Sequence, residues 1–165
     1  MRWVALGLLS VVAVAGCGRY RPEALGGPAV EQRTTEGLTA EQMFTYRMLV
    51  QNGREPTFDE KLTWRDNLDR KISGYLREHP EDANSIDVSK FRFARRASVG
   101  MSKEQILILL GPPGDITADG DRMQTVAKQF WPDMKGNVTE AWLYPLGWSY
   151  FFAGDRLVDI TQHLK

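Results

Sequence analysis

Between Glu140 and Gln162 the chain carries three short runs rich in aromatic and β-branched residues: Glu140 to Tyr144, Trp148 to Phe152 and Arg156 to Gln162. Such runs read as strands when turn residues bound them. Pro145-Leu146-Gly147 separates the first two, and Gly154-Asp155 separates the last two. Gly at the first central position suits a type II′ turn, so an antiparallel meander is expected. Side chains alternate along a strand. Trp142 and Tyr144 therefore share one face, as do Trp148, Tyr150 and Phe152, and as do Val158 and Ile160. Leu143, Phe151 and Leu157 fall on the opposite faces. A sheet apolar on both faces has to be covered twice, which constrains everything else the chain can do.

The covering elements are announced by caps. Thr39 with Gln42, Thr57 with Glu60 and Ser102 with Gln105 each match a capping box, and Leu38–Met43 and Met101–Ile106 match hydrophobic staples. The first box predicts a helix from Thr39 to Gln51, stopped at Asn52-Gly53. The second predicts a longer one reaching His79, ended by Pro80. Phe58, Leu62, Trp64, Leu68, Ile72, Tyr75 and Leu76 fall within an arc of roughly 160° at 100° per residue, a broad core-facing stripe. The third box opens a short helix, Lys103 to Leu110, with Gly111-Pro112-Pro113 behind it. Too short to stand alone, it has to bury Ile106, Leu107, Leu109 and Leu110.

Two segments read more openly. Phe91 and Phe93 sit among Lys90, Arg92, Arg95 and Arg96. That cluster suits contact with anionic headgroups. The preferred reading is a short helix or strand with both phenylalanines buried and the arginines in solvent. Residues 115–139 are long for a loop, with a turn of helix allowed over Met123 to Trp131. Such lengths mark either a functional loop or an irregular insertion.

The N-terminus addresses the chain. Arg2 precedes an uncharged run from Trp3 to Ala15, a size that suits a signal peptide and falls short of a spanning helix. Val14-Ala15-Gly16-Cys17 ends that run and resembles the lipobox of bacterial lipoproteins, in which the cysteine is lipidated. That resemblance implies three acyl chains on Cys17 and lasting anchorage, since more than one chain is needed to hold firmly. By the same resemblance, Gly18 in place of an Asp implies the outer membrane, with the domain facing the periplasm. The expected organisation is a signal peptide over 1–16, lipidated Cys17 and a Gly/Pro-containing tether over 17–37, a helical hairpin over 38–85, and an α+β domain over 86–165. The fold class is α+β: the hairpin, then a short helix packed on a three-stranded antiparallel sheet.

Charge and side-chain inventory exclude several functions. Lys+Arg and Asp+Glu both number 21, so no positive excess points to nucleic acid. Cys17 is the only cysteine, and its acylation leaves no thiol for disulfides, thiol catalysis or cysteine-ligated zinc. His79 and His163 are the two imidazoles; one sits at a helix end, the other near the C-terminus, and structural or solvated roles are expected for both. The chain lacks P-loop, GxSxG and HExxH patterns, so no catalytic residue, metal ligand or cofactor is assigned.

Several blocks together resemble the SmpA/OmlA (BamE-like) family of outer-membrane lipoproteins. They are Val99-Gly100-Met101-Ser102-Lys103-Glu104-Gln105-Ile106, Leu109-Leu110-Gly111-Pro112-Pro113, Trp142-Leu143-Tyr144, Tyr150-Phe151-Phe152 and Gly154-Asp155-Arg156-Leu157. The resemblance spans Val99 to Gln162. It implies a non-catalytic module that binds envelope proteins, with barrel-assembly components or envelope integrity as its context. Family chains are shorter, lack a hairpin like that of residues 39–79, and have a shorter gap between the Pro-Pro and Trp-x-Tyr blocks. The alternative is an inhibitor-type domain binding through exposed aromatics, with Trp142, Trp148 and Phe151 as the candidate contacts.

Replacing Cys17 with Ala is expected to abolish fatty-acid labelling and release the protein from the membrane fraction. A labelled, membrane-bound variant would overturn the lipobox reading.

Overall fold

The computed structural model describes residues 30–83, 85 and 88–164. The expected signal peptide, Cys17 and the part of the expected tether up to residue 29 lie outside the described residues. The fold is α+β. Its centre is a five-stranded, wholly antiparallel sheet in the order β1-β7-β6-β5-β4. These strands are β1 (Val30–Thr34), β4 (Asp115–Thr117), β5 (Glu140–Leu143), β6 (Trp148–Ala153) and β7 (Arg156–Leu164). The three central strands are those expected. The two edge strands are additions, and each corrects a sequence expectation.

Strand β1 lies within the segment expected to be a tether. It pairs with β7 over its whole length, from Val30 opposite Leu164 to Thr34 opposite Ile160. Arg33 fixes it there. Its guanidinium donates to both oxygens of buried Asp159 and reaches Asp133 at 3.2 Å. The carboxylate that Arg33 pairs lies 126 positions along the chain, which no local pattern reveals. β2 (Glu36–Thr39) follows at once and pairs with β3 (Arg96–Ser98) in a separate two-stranded sheet.

The caps read as predicted. Helix α1 (Ala40–Asn52) starts on the Thr39–Gln42 capping box and stops at Gly53, whose φ of 67° is the left-handed conformation glycine adopts cheaply. Helix α2 (Phe58–Glu78) starts on the Thr57–Glu60 box. A single turn, α3 (Pro80–Ala83), follows it. Helix α4 (Lys103–Leu110) starts on the Ser102–Gln105 box. Each box satisfies N–H groups that a helix start leaves free, for about 1 kcal/mol per cap.

One face of the sheet presents Trp142, Tyr144, Tyr150, Phe152, Leu157 and Ile160. Helix α4 covers it with Ile106, Leu109 and Leu110, and the hairpin of α1 and α2 joins through Met43, Leu68, Ile72 and Tyr75, with Phe91 beside them. Leu107 of α4 points outward instead. The other face presents Ala141, Phe151 and Val158. The stretch 115–139 covers it. After β4 come α5 (Gly120–Ala127), a 3₁₀ turn at Lys128–Phe130 and α6 (Trp131–Met134), which supply Met123, Ala127 and Met134. This segment is a second lid on the core, built mostly of short helices.

Leu157 and Val158 exchange faces relative to strict alternation. The register of β6 and β7 slips between Phe151 and Phe152, so that Phe151 faces Asp159 and Phe152 faces Leu157. A bulge of this kind places two residues opposite one and reverses the alternation beyond it.

Ile106 lies fully buried between α4 and the sheet. Replacing it with Asp leaves an unpaired charge there and is expected to cost about 3–5 kcal/mol. A thermal melt equal to that of the unchanged protein would overturn the helix-on-sheet packing.

Candidate interaction groove

The sheet aromatics proposed as contacts are placed away from solvent. Trp142 is 5 % exposed and Phe151 0 % exposed. Trp148 is half-buried and stacked over Tyr150, with ring centroids 6.3 Å apart. Trp142 sits against Phe152, its indole N–H donating to Glu140. Lys103 pairs with that same carboxylate at 2.9 Å and lies 5.6 Å from the Phe152 ring centroid. Burial pushes the Glu140 carboxyl up, but the Lys103 ammonium and the Trp142 N–H together hold it below the usual range. These rings are core, and an exposed aromatic sheet face is absent among the described residues.

The exposed rings are elsewhere. Phe58 is 78 % exposed and Phe93 72 % exposed, with Leu62 between them at the surface. The broad stripe of α2 in fact divides into two faces. Leu68, Ile72 and Tyr75 are buried in the core, and Trp64 packs against it while stacked on Phe44 at 4.7 Å and 8°. Phe58, Leu62, Arg65, Asp69, Ser73 and Leu76 recur at helical spacing along a second face, within about 80° of arc. That second face lines two clefts along α2. The first, of about 310 Å³, is lined by Phe58, Leu62 and Arg65 and by Phe93, Ala94 and Arg95 opposite. The second, about 640 Å³ and more open, is lined by Asp69, Arg70, Ser73, Leu76 and Arg77, with Arg92 opposite.

The opposite wall is a single turn of π-helix, Lys90–Ala94. Residues two apart in a helical turn do not share a face, since 100° per residue puts them about 200° apart. Phe91 drops into the core, edge-on to Tyr75 at 5.4 Å, while Phe93 faces out with the Arg92 guanidinium 5.3 Å from its ring centre. The expectation that both rings are buried holds for one. Arg95 closes the turn in the left-handed conformation, φ 47°. Three hydrogen bonds hold it there: its carbonyl accepts from Ala40 N–H at 2.8 Å, and its guanidinium donates to both oxygens of Asp69 at 2.7 and 2.9 Å. The Arg95–Asp69 pair therefore stands where the two clefts adjoin.

The basal end of α2 is stiffened by Arg54, which forks onto Glu60 at 2.8 Å. That bond, with the Thr57 N–H, lowers the Glu60 carboxyl to about 2. At the far end, Tyr75 donates to Asp82 and lies 3.5 Å from Ser102. Burial, then the Asp82 contact, raises the Tyr75 hydroxyl to about 12. His79 stacks on Tyr75 at 4.3 Å and faces Glu81 and Glu104, a structural setting at the helix end. His163 faces Glu31 and Lys128. Among the described residues no three or more His, Cys, Asp or Glu side chains converge as a metal would require.

In comparisons with known proteins, no family model, curated protein or solved structure matches this chain.

Phe91→Ala is expected to cost about 3–5 kcal/mol as a core truncation. Phe93→Ala, two residues on, is expected to change stability by less than about 0.5 kcal/mol. Paired denaturant melts check both; equal losses would mean that Phe93 belongs to the core.

Proposed function

We propose that this chain is a non-catalytic, lipid-anchored outer-membrane protein whose periplasmic domain binds other envelope proteins. One observation carries the binding part: a chain that buries its aromatic sheet on both faces leaves Phe58, Leu62 and Phe93 exposed together along one groove. Exposed apolar groups gathered in a concave surface with a polar rim characterise partner sites. The anchoring part rests on the lipobox-like residues ending at Cys17.

We relate the fold to the SmpA/OmlA (BamE-like) kind. What supports this is the way distant motif blocks meet. Gly100 N–H donates to Leu157 O at 2.8 Å, Leu157 N–H to Met101 O at 2.9 Å, and Lys103 N–H to Asp155 O at 3.0 Å. The Gly100-Met101-Ser102-Lys103 block is thereby laced to Gly154-Asp155-Arg156-Leu157. Tyr144, from the Trp-x-Tyr block, donates to Gly111 O at 2.8 Å, tying the third block to the Leu-Gly-Pro-Pro turn. Residues that resemble the family thus act as one bonded unit, with the hairpin added to it. In this reading the partners include barrel-assembly components, and the hairpin provides what a shorter relative lacks.

The Glu60 and Glu140 carboxyls are both held low by ion pairs, with Arg54 and with Lys103.

Crosslinking in intact cells, followed by identification of captured envelope proteins, tests the reading. Enrichment of barrel-assembly components over an unrelated lipoprotein is expected. Equal recovery from both would overturn the assembly role.

A further inference from the structure

We infer that the two clefts along α2 form one polarised docking groove. Its occupant is an amphipathic peptide segment of a partner protein, with a bulky apolar anchor at one end and acidic residues at the other. This rests on the protein-binding reading above and names the surface and the chemistry it selects.

The polarity is built into α2. At its N-terminal end the groove gathers its large apolar side chains: Phe58, Leu62 and Phe93 offer ring and methyl surface to an anchor, beside Glu41, Lys61, Arg65 and Arg95. Toward its C-terminal end the large rings give way and the cations are ones unpaired among the described residues, with Arg70 and Arg77 on α2 facing Arg92 across the second cleft. Rise along a helix puts the two ends about 20 Å apart. The whole chain carries no net charge, so a local gathering of arginines is a feature of this surface rather than of the composition.

Pairing within the groove sharpens the excess. The two lining carboxylates are already engaged: Glu41 with Lys61 at 3.5 Å, and Asp69 with Arg95 at 2.7 Å. Arg65, Arg70, Arg77 and Arg92 have no carboxylate partner among the described residues. Arg70 donates to Asn67 and to the Asp66 carbonyl, and Arg92 lies over Phe93. Arginine forks suit carboxylates in pairs, so the unmatched chemistry is that of an acidic ligand.

Shape and charge choose among occupants. A groove of this length beside one helix accepts an amphipathic helix through anchors at i and i+4. A second copy of this chain would bring arginines against arginines, which disfavours self-association through this face. A flat bilayer meets protruding rings but does not enter clefts behind them.

The test uses the full chain in detergent micelles and fluorescently labelled helical peptides of roughly 20 residues. One peptide carries Phe and Leu in its first turn and Glu in its last two turns. A twin carries Lys in place of Glu, and a third carries Ser in place of the anchors. Saturable binding of the acidic peptide is expected, at least tenfold tighter than either control. Arg77→Glu with Arg92→Glu is expected to reverse the preference between Glu and Lys peptides. Phe93→Ser is expected to weaken binding at least tenfold with the melt unchanged. Equal affinity for Glu and Lys peptides, no saturable binding, or variants that bind like the unchanged protein would each overturn the groove. So would loss, on Phe93→Ser, of self-association seen by sedimentation, or of binding to anionic vesicles. If in-cell crosslinks to envelope proteins survive these substitutions, the groove fails while the protein-binding reading stands.

Discussion

A sheet with apolar side chains on both faces is stable only when both faces are covered, because each large ring left in water forgoes about 2–3 kcal/mol of burial. Tyr150, Phe151 and Phe152 are consecutive and all fully buried, so they point alternately into two separate cores. The rest of the architecture answers that demand. Helix α4 and the hairpin close over Tyr150 and Phe152, and the short helices of 115–139 close over Phe151. Tyr150 also joins layers: its hydroxyl accepts the Leu38 N–H at 2.9 Å, fixing where the chain enters α1. Gly37 lies so close to that ring that a Cβ there would collide with the Tyr150 hydroxyl.

Covering the sheet uses only part of the hairpin. Leu68, Ile72 and Tyr75 reach the core, while Phe58 and Leu62, one to three turns earlier, extend past it. In the helical turn at Lys90–Ala94, Phe91 points inward and Phe93, two residues on, outward, and the Arg95–Asp69 pair clamps that turn against α2. The groove is therefore a by-product of geometry with a definite composition: large apolar side chains where the helix overhangs, and further along it arginines unpaired among the described residues.

Local rules carried far where local physics decides. Three capping boxes marked three N-caps, with α1 starting at Ala40, one residue after the expected Thr39, because an N-cap bond involves atoms only three positions apart. The meander was legible for the same reason, its two-residue turn at Gly154 being set by adjacent backbone conformation. Where neighbours are distant, the pattern misled. Strand β1 read as tether because Gln32, Arg33 and Thr34 show no apolar periodicity; its hold on Asp159 comes from the far end of the chain. The stripe on α2 read as one core face because periodicity reports that residues share a side, not how much of that side is covered. Trp142 and Phe151 read as candidate contacts because large aromatics serve cores and interfaces alike.

By itself the sequence determined the helix starts, the central antiparallel strands and the need for two coverings. Each depends on residues within a few positions of one another. Only the tertiary structure decided which segments supply the coverings, which face of α2 stays in solvent, and which of Phe91 and Phe93 is exposed. Those outcomes depend on contacts between residues far apart in the chain and on a bulge that shifts side chains off their regular period. Burial is a property of the assembled layers, so the candidate groove became visible only once they were in place.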